Sequence, residues 1–202
     1  MASVRNTAKP SARERLLTAA DELFYAEGVQ SVGIDRVIEH AGVAKASLYN
    51  TFGGKEQLVR AYLDTRHAGS ADRITRAVAE CDTPREQILA VFESQGRQFD
   101  RPDFRGCAFI RAGAEASPGG LVQEAADAFR GWLRELFTRL AAEAGAADPD
   151  ALGHQLQLLY DGAGISALMD HDSTAAVASR AAATALIAAA TDTSAQGLSH
   201  NS

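Results

Sequence analysis

The stretch GVAKASLYNTFGGKEQL, residues 42–58, places hydrogen-bonding side chains between apolar residues at helical spacing. Lys45 can reach a guanine edge or a phosphate, and Asn50 can pair with adenine. Ser47 can hydrogen-bond to a base edge or to a nucleic-acid backbone. These residue types indicate contact with a polar, anionic partner, and the positions that would anchor such a helix are Val43, Leu48 and Phe52.

Three further residues fit the same partner. Ala46 is small and apolar, which suits close approach to a thymine methyl group. Tyr49 combines an aromatic ring with a hydroxyl that can bond to a phosphate. Lys55 begins the next helix, where an ammonium group and free backbone N–H groups attract anions. A solvated helix face is also polar, and the run taken alone favours that simpler interpretation.

Three short helices must position these side chains. The first begins at Ser11, which forms the pattern of a capping box with Glu14, and ends near Gly28. The second is predicted over residues 34–41 and the third over residues 44–51, with a glycine in the turn between them. Two helices joined by such a turn form a helix-turn-helix, whose second helix enters the major groove of DNA.

The charge distribution agrees weakly with a nucleic-acid partner. The 202-residue chain has a net charge of -6. Residues 1–66 hold nine basic and eight acidic residues, whereas residues 67–202 hold eleven basic and eighteen acidic ones. A less acidic N-terminal part on an acidic body suits a small DNA-binding module attached to a domain with another task.

The composition indicates a globular cytoplasmic protein. Cys81 and Cys107 form no C-x-x-C pair, which argues against a zinc site or a disulfide framework. The N-terminus lacks the apolar stretch of a signal peptide, and no run approaches the roughly 18 apolar residues of a membrane span. We expect no metal, no cofactor and no membrane association.

The helix-turn-helix region resembles the DNA-binding signature of the TetR/AcrR family of transcriptional regulators. That signature reads roughly G-V-S-K-G-T-L-Y-x-x-F-x-S-K-E-x-L, and the upstream segment AADELFYAEGVQSVGIDRVIEHA fits as well, so the resemblance covers about residues 11–63. It implies contact with double-stranded operator DNA through a surface, here named the DNA-facing surface, that has phosphate contacts at Tyr49 and Lys55 and base contacts at Lys45, Ala46, Ser47 and Asn50.

The resemblance also implies a homodimer and a small-molecule effector of unspecified identity that releases a repressor from a palindromic operator. An activator, or a regulator without an effector, is a runner-up. A different alternative is a helical small-molecule-binding protein or enzyme whose helix-turn-helix no longer binds DNA. The intact stretch over residues 45–55 argues against that alternative.

Three residues depart from the family pattern. Gly33, Ala44 and Gly54 stand at helix starts where the family favours Ser or Thr. Glycine at such a position costs a few tenths of a kcal/mol relative to a good cap, and alanine costs about 1 kcal/mol. The sequence therefore predicts a DNA-binding head that is less stable than those of its relatives.

The predicted fold is all-α, with about nine helices. We expect a flexible basic arm over residues 1–10, the helix-turn-helix domain over 11–54, a helical effector-binding and dimerisation domain over 55–190, and a disordered tail over 191–202. The first long helix of the larger domain is predicted from residue 55 toward residue 80, with a break near residues 67–70.

The last two helices carry a candidate dimer surface. Pairing them with their copies would form a four-helix bundle, which is the dimerisation mode of the family that the sequence resembles. Packing within one chain is the alternative. The apolar and small residues that suggest this surface are Leu152, Leu156, Leu159, Gly162, Ala163 and Ile165.

Aromatic residues on several predicted helices suggest a ligand site, because clefts between helices lined by aromatic side chains commonly hold small molecules. Such residues are more often plain core. Arg111 could contact an anionic ligand, but its i,i+4 spacing to Glu115 favours a surface ion pair. The predicted ligand-binding residues are Phe92, Phe109, Trp132 and Tyr160.

The motifs that could suggest catalysis lack the structural context that catalysis requires. The segment over residues 162–167 imitates a dinucleotide-binding fingerprint, but it lies in a predicted helix with no strand before it. The Asp170-His171-Asp172 sequence suits the end of a helix better than a metal site. We therefore predict no enzymatic activity.

Overall fold

The computed structural model describes residues 10–192, which form nine α-helices and no strand. The all-α prediction is confirmed. The predicted basic arm and tail fall almost wholly on residues 1–9 and 193–202, outside this range. The helices are α1 Ala12–Glu27, α2 Ile34–Ala41, α3 Lys45–Phe52, α4 Lys55–Ala79, α5 Pro84–Phe99, α6 Ala108–Glu115, α7 Leu121–Glu143, α8 Pro149–Asp170 and α9 Thr174–Thr191.

Helices α1 to α3 form the head. The capping box predicted at the start of α1 is present, with Ser11 and Glu14 each accepting from the other's backbone N–H. Gly42 has a left-handed conformation at the end of α2, with φ of 60°, and the N–H of Val43 donates to the carbonyl of Ile38. This turn sets the angle between α2 and α3, and a residue with a side chain would be strained there.

Helix α4 connects the head to the larger body. Its 25 residues run from Lys55 to Ala79 without interruption, so the predicted break near residues 67–70 is wrong. Gly69 and Ser70 are weak helix formers, but α4 packs against α1, α5 and α7, and this tertiary packing outweighs their propensity.

Helices α5 to α9 complete the body around α4. Helix α8 packs on α7 on one side and α9 on another, and α9 also packs on α5. The core of the body is aromatic as well as aliphatic: the rings of Phe92 and Phe137, both fully buried, stack with centroids 5.6 Å apart.

Helix α9 is more apolar than the sequence patterns indicate. Its 18 residues have a mean hydropathy of 1.3, which is high enough by length and composition for a membrane span, and only 17% of them are buried. This apolar character comes from alanines that accumulate around one charged residue, Arg180, rather than from an uninterrupted run of apolar residues. Arg180 donates to Glu93 of α5 at 2.6 Å, so α9 is a packed helix of the body with an apolar outer side.

Candidate nucleic-acid interface and central cavity

Helix α3 is fixed to the head by one completely buried residue and exposes most of its other side chains. Leu48 is fully buried, and Phe52 packs against the core from a half-buried position. Tyr49 is 45% exposed although it is a large aromatic residue. Of the other members of the DNA-facing surface, Lys45, Ala46 and Asn50 are exposed and Ser47 and Lys55 are half-buried.

Lys45 is held by a neighbour before any DNA arrives. Its Nζ lies 2.8 Å from Oδ1 of Asp35, in the first turn of α2. Hydrogen bonding to this carboxylate and its negative charge both raise the pKa of Lys45. A nucleic-acid contact by Lys45 therefore requires an exchange of one anionic partner for another.

The starts of α3 and α4 have no side-chain cap. Ala44 before α3, Gly54 before α4 and Gly33 before α2 offer no side-chain hydrogen bond to the first turn, although their backbone carbonyls accept from it. The first backbone N–H groups of α3 and α4 thus have no partner within the helix. Groups of this kind, with Lys45 and Lys55 beside them, form a favourable environment for phosphate oxygens.

The turn of the helix-turn-helix is supported by a residue that the sequence analysis did not single out. Nη1 of Arg15, on α1, donates to the carbonyl oxygens of Gly42 at 3.0 Å and Ala41 at 3.4 Å. A cation at the end of α2 also interacts favourably with the helix dipole. A basic residue one turn into α1 was the available signal, although nothing in its spacing indicated a partner 27 residues away.

The head joins the body through a polar cluster. Arg66 of α4 forms a bidentate pair with Asp21 of α1, with Nη2 and Oδ2 2.9 Å apart. The guanidinium lies 3.7 Å from the centre of the Tyr25 ring. The Tyr25 hydroxyl donates to the carbonyl of Gly106 and accepts from the N–H of Arg105, each at 3.1 Å.

Arg111 belongs to the same polar cluster between head and body, so the prediction that it pairs with Glu115 on the surface is wrong. Its Nη1 donates to the carbonyl oxygens of Tyr25 at 2.8 Å and Arg105 at 3.1 Å. Glu115 instead accepts from the N–H of Gln30 at 3.0 Å. Both side chains reach from α6 across to the head, because α6 lies close to the end of α1.

A central cavity of about 450 Å³ opens beside this polar cluster. That volume is in the usual range for small-molecule sites. Six helices contribute to its wall, and two of them, α1 and α4, carry the head or connect to it. Its polar lining includes Asp21, Tyr25, Arg66, Arg73, Gln95, Gln98 and Arg101, and its aromatic lining includes Phe99, Phe104, Phe109, Phe129 and Tyr160.

Two of the four predicted ligand-binding residues line this cavity and two do not. Phe109 stacks on Phe129 with ring centroids 3.9 Å apart, and Tyr160 forms another part of the wall. Phe92 faces the body core, where it stacks on Phe137. Trp132 does not line the cavity: it is half-buried beside His67, and the ring centroid of Phe129 in the cavity wall is 5.9 Å away.

Metal-binding clusters are not evident in the part of the chain that the structure describes: it has no group of three or more His, Cys, Asp or Glu side chains placed to hold an ion. Cys107 lines the cavity as a free thiol, and burial raises its pKa. The cavity therefore offers arginine, amide and aromatic groups, rather than carboxylate clusters, to a bound molecule.

Comparison with known proteins gives the class of the molecule. Residues 16–62 match the family model "Bacterial regulatory proteins, tetR family". A TetR-family transcriptional regulator from Streptomyces coelicolor is 36% identical, with a TM-score of 0.85 over 90% of this chain and 96% of that one. The chain belongs to the TetR family of helix-turn-helix transcriptional regulators, which bind DNA.

Two relatives of known sequence are more distant. The HTH-type transcriptional regulator YxaF of Bacillus subtilis is 27% identical over 177 residues, which are 83% of this chain and 91% of that protein. The HTH-type transcriptional repressor NemR of Escherichia coli is 29% identical over 105 residues, 51% of this chain and 53% of that protein. The similarity to YxaF thus extends through the body, whereas the similarity to NemR spans about half of each chain.

Proposed function

We propose that the protein is a homodimeric repressor that binds a palindromic operator through α3 and is released by a small molecule bound in the central cavity. The observation that carries the proposal is the construction of α3, where buried Leu48 fixes the helix and the DNA-facing surface remains accessible. The repressor activity named for NemR agrees with this direction of control.

The apolar outer side of α8 and α9 supports the homodimer. Among residues 10–192, five large hydrophobic side chains are exposed, and one of them is Tyr49 of the DNA-facing surface. The other four lie on the last two helices, which pack on each other: Leu158, Ile165 and Met169 on α8 and Val177 on α9. An apolar region of this kind on a folded chain is typical of an interface, and a second copy supplies the matching helices.

The leucines and small residues of α8 fall into two stripes, and only one of them is exposed. Leu152, Leu156 and Ala163 are buried within the chain, where α8 packs on its own neighbours. Leu158, Gly162, Ile165 and Met169 recur at intervals of four, three and four residues on the exposed side. This second stripe, with the exposed alanines of α9, is the proposed dimer surface.

A two-fold dimer presents two copies of α3, so the operator should be an imperfect palindrome with half-site centres about one helical turn, or a multiple of it, apart. DNase footprinting on genomic fragments selected by the purified protein, combined with sedimentation of the complex, tests this. A monomer protecting one asymmetric half-site would contradict the proposed dimeric repressor. A folded protein that selects no fragment would instead favour the alternative of a head without DNA affinity.

Lys55 provides a second test of the same surface. Lys55→Ala should weaken binding to all sequences alike and lower the dependence of log affinity on log salt by about 1, as the loss of one phosphate contact does. Arg139→Ala, which removes an exposed basic residue of α7, is the matched control and should leave the salt dependence unchanged. Equal salt dependence in Lys55→Ala and wild type would show that Lys55 does not contact DNA.

The position of the cavity supports control by a ligand. Asp21 and Tyr25 of the head and Arg66 of α4 contribute to its wall, so a bound molecule would touch the groups that orient the head. Differential binding of about 1–3 kcal/mol suffices for a 5–150-fold change in DNA affinity, and operator DNA must weaken ligand binding by the same factor. Titration of a releasing compound with and without operator, followed by the fluorescence of Trp132, measures this reciprocity; equal affinities would exclude the mechanism.

A further inference from the structure

Gln95 is part of the wall of the central cavity and carries a buried, unpaired hydrogen-bond acceptor. Its side chain is only 7% exposed, and Nε2 donates to the carbonyl of Tyr160 at 2.8 Å. Oε1 has no hydrogen-bond partner among the residues that the structure describes. Because the carbonyl of Tyr160 can only accept, the amide cannot be reversed, and Oε1 remains the atom without a donor.

Space for this amide is provided by a glycine on the facing helix. A Cβ atom at Gly164 would lie 3.3 Å from Nε2 of Gln95, which is closer than nearly all real contacts of a Cβ atom. Both residues line the cavity. The buried acceptor is therefore part of a built site on α5 and α8, and a bound molecule with a hydroxyl or amine hydrogen would satisfy it.

Arg73 also lines the cavity and has no carboxylate partner within residues 10–192. Its Nη1 donates to the carbonyl of Ser94 at 2.9 Å and to the Ser94 hydroxyl at 2.7 Å, which fixes the half-buried guanidinium against α5. Its other polar neighbour is the phenol of Tyr160, whose pKa is raised by burial and lowered by the arginine charge. Neither neighbour neutralises the positive charge of Arg73.

The other arginines of the wall are engaged. Arg66 pairs with Asp21, and Arg101 forms a bidentate pair with Asp103 at 2.9 Å. Of the three guanidinium groups that line the cavity, Arg73 is thus the one whose charge is available to a ligand. Arginine binds carboxylates strongly because its planar donors match the two oxygens.

We propose that the central cavity binds a flat aromatic acid that places its carboxylate on Arg73 and donates a hydroxyl or amine hydrogen to Oε1 of Gln95. The stacked rings of Phe109 and Phe129 and the ring of Tyr160 supply an aromatic wall for its body. The assignment rests on the proposed function only in making this molecule the effector. Binding itself depends on the cavity alone.

Matched naphthalene probes test the two contacts separately. The 3-hydroxy and 6-hydroxy isomers of 2-naphthoic acid hold the two groups at different spacings, and calorimetry with the full chain should show binding of at least one of them. The primary amide of the acid that binds lacks the negative charge, and the methyl ether of that acid lacks the hydroxyl donor. Each of these two derivatives should bind at least about tenfold more weakly than the acid. Equal affinity for the acid and the amide would overturn the proposal, as would no binding of either acid at millimolar concentration.

Variants then assign the contacts to residues. Arg73→Gln should remove the preference for acid over amide, and Gln95→Leu should remove the preference for hydroxyl over methyl ether. Arg76→Gln, an exposed position on the same helix that pairs with Asp72, should retain both preferences. Retention of both preferences in folded Arg73→Gln and Gln95→Leu would contradict the assignment; if either variant fails to fold, the wild-type probe series decides.

Release of operator DNA is measured in parallel to separate the two proposals. Binding of the acid with both preferences but without release of operator would count against the proposed effector control and leave the ligand assignment intact. Release by a compound that lacks an acidic group, with no binding of the acids, would support effector control and overturn the ligand assignment.

Discussion

The DNA-facing surface and the central cavity differ in how the chain builds them. The surface takes its side chains from residues 45–55, most of them exposed and fixed to the head by buried Leu48. The cavity takes its wall from α1, α4, α5, α6, α7 and α8, and its aromatic and amide groups are largely buried. A side chain of the surface can therefore change without a change in packing, whereas a side chain of the cavity also holds helices together.

This difference separates two kinds of functional loss. On the DNA-facing surface we expect loss of DNA binding in a protein of normal stability. In the cavity we expect loss of ligand binding together with loss of stability, because the same atoms that would contact a ligand also contribute buried apolar surface. Substitutions in the two regions test whether binding and stability are lost separately on the surface and together in the cavity.

The largest effect is expected at Phe109. Its ring is 4% exposed and stacks on Phe129, so Phe109→Ala should lower the free energy of unfolding by about 3–5 kcal/mol. Urea denaturation at one fixed protein concentration measures this, and Phe109→Leu is the control that keeps most of the apolar volume. A stability loss below about 1 kcal/mol would show that the cavity wall does not carry the packing assigned to it.

At Asn50 we expect a smaller effect, which falls on base preference rather than on the free energy of unfolding. Because Asn50 is exposed, Asn50→Ala should change the free energy of unfolding by no more than about 0.5 kcal/mol. Preference at one base pair of the operator should fall by about 1–3 kcal/mol. Binding to a library of operators with single substitutions checks this; an unchanged preference at every position would remove Asn50 from the base contacts.

Because α3 lacks a side-chain cap at its start, a substitution there can raise the stability of the protein. Ala44→Ser supplies an oxygen that can accept from the first turn, and it should raise the free energy of unfolding by about 1 kcal/mol. Ala44→Gly, which supplies no oxygen, should change stability by less. If both variants melt with wild-type stability, the start of α3 does not limit the stability of the head.

The smallest effect is expected at Asp35. Asp35→Asn removes the anion that pairs with Lys45 and lowers the pKa of this lysine toward its ordinary value, but it leaves the lysine charged near neutral pH. DNA affinity should rise a few-fold at low salt, because an anion leaves the region that phosphates approach, and the gain should vanish at high salt. Affinity that falls instead would mean that Asp35 positions Lys45 for DNA.

The same contrast explains which features could be predicted from the sequence. The helix-turn-helix is encoded in adjacent residues, so its caps, its turn at Gly42 and its buried Leu48 follow from local patterns. The cavity depends on how distant helices cross. Phe92 and Phe109 are both aromatic residues of helices, but only the packing of α5 and α6 turns one toward the core and the other toward the cavity.

Polar contacts between residues that are far apart in the sequence could not be predicted either. Asp21 and Arg66 are 45 residues apart, and the spacing between Arg111 and Glu115 pointed to a local pair that the fold does not form. On α8 the pattern of leucines predicted an interface, but it could not say which of two helical stripes faces the protein's own core. Leu156 is buried there, whereas Leu158 is 55% exposed.

The hydroxyl of Tyr25 ties the head to a backbone amide of the body. The N–H of Arg105 lies outside any helix and donates to this hydroxyl, so its exchange with solvent deuterium requires this hydrogen bond to open. The neighbouring N–H of Phe104 donates to the carbonyl of Arg101 within the same loop and serves as an internal reference. Once each rate is corrected for the intrinsic exchange rate of its amide, their ratio compares, in the unmodified protein, the opening of the Tyr25 contact with the opening of the loop itself.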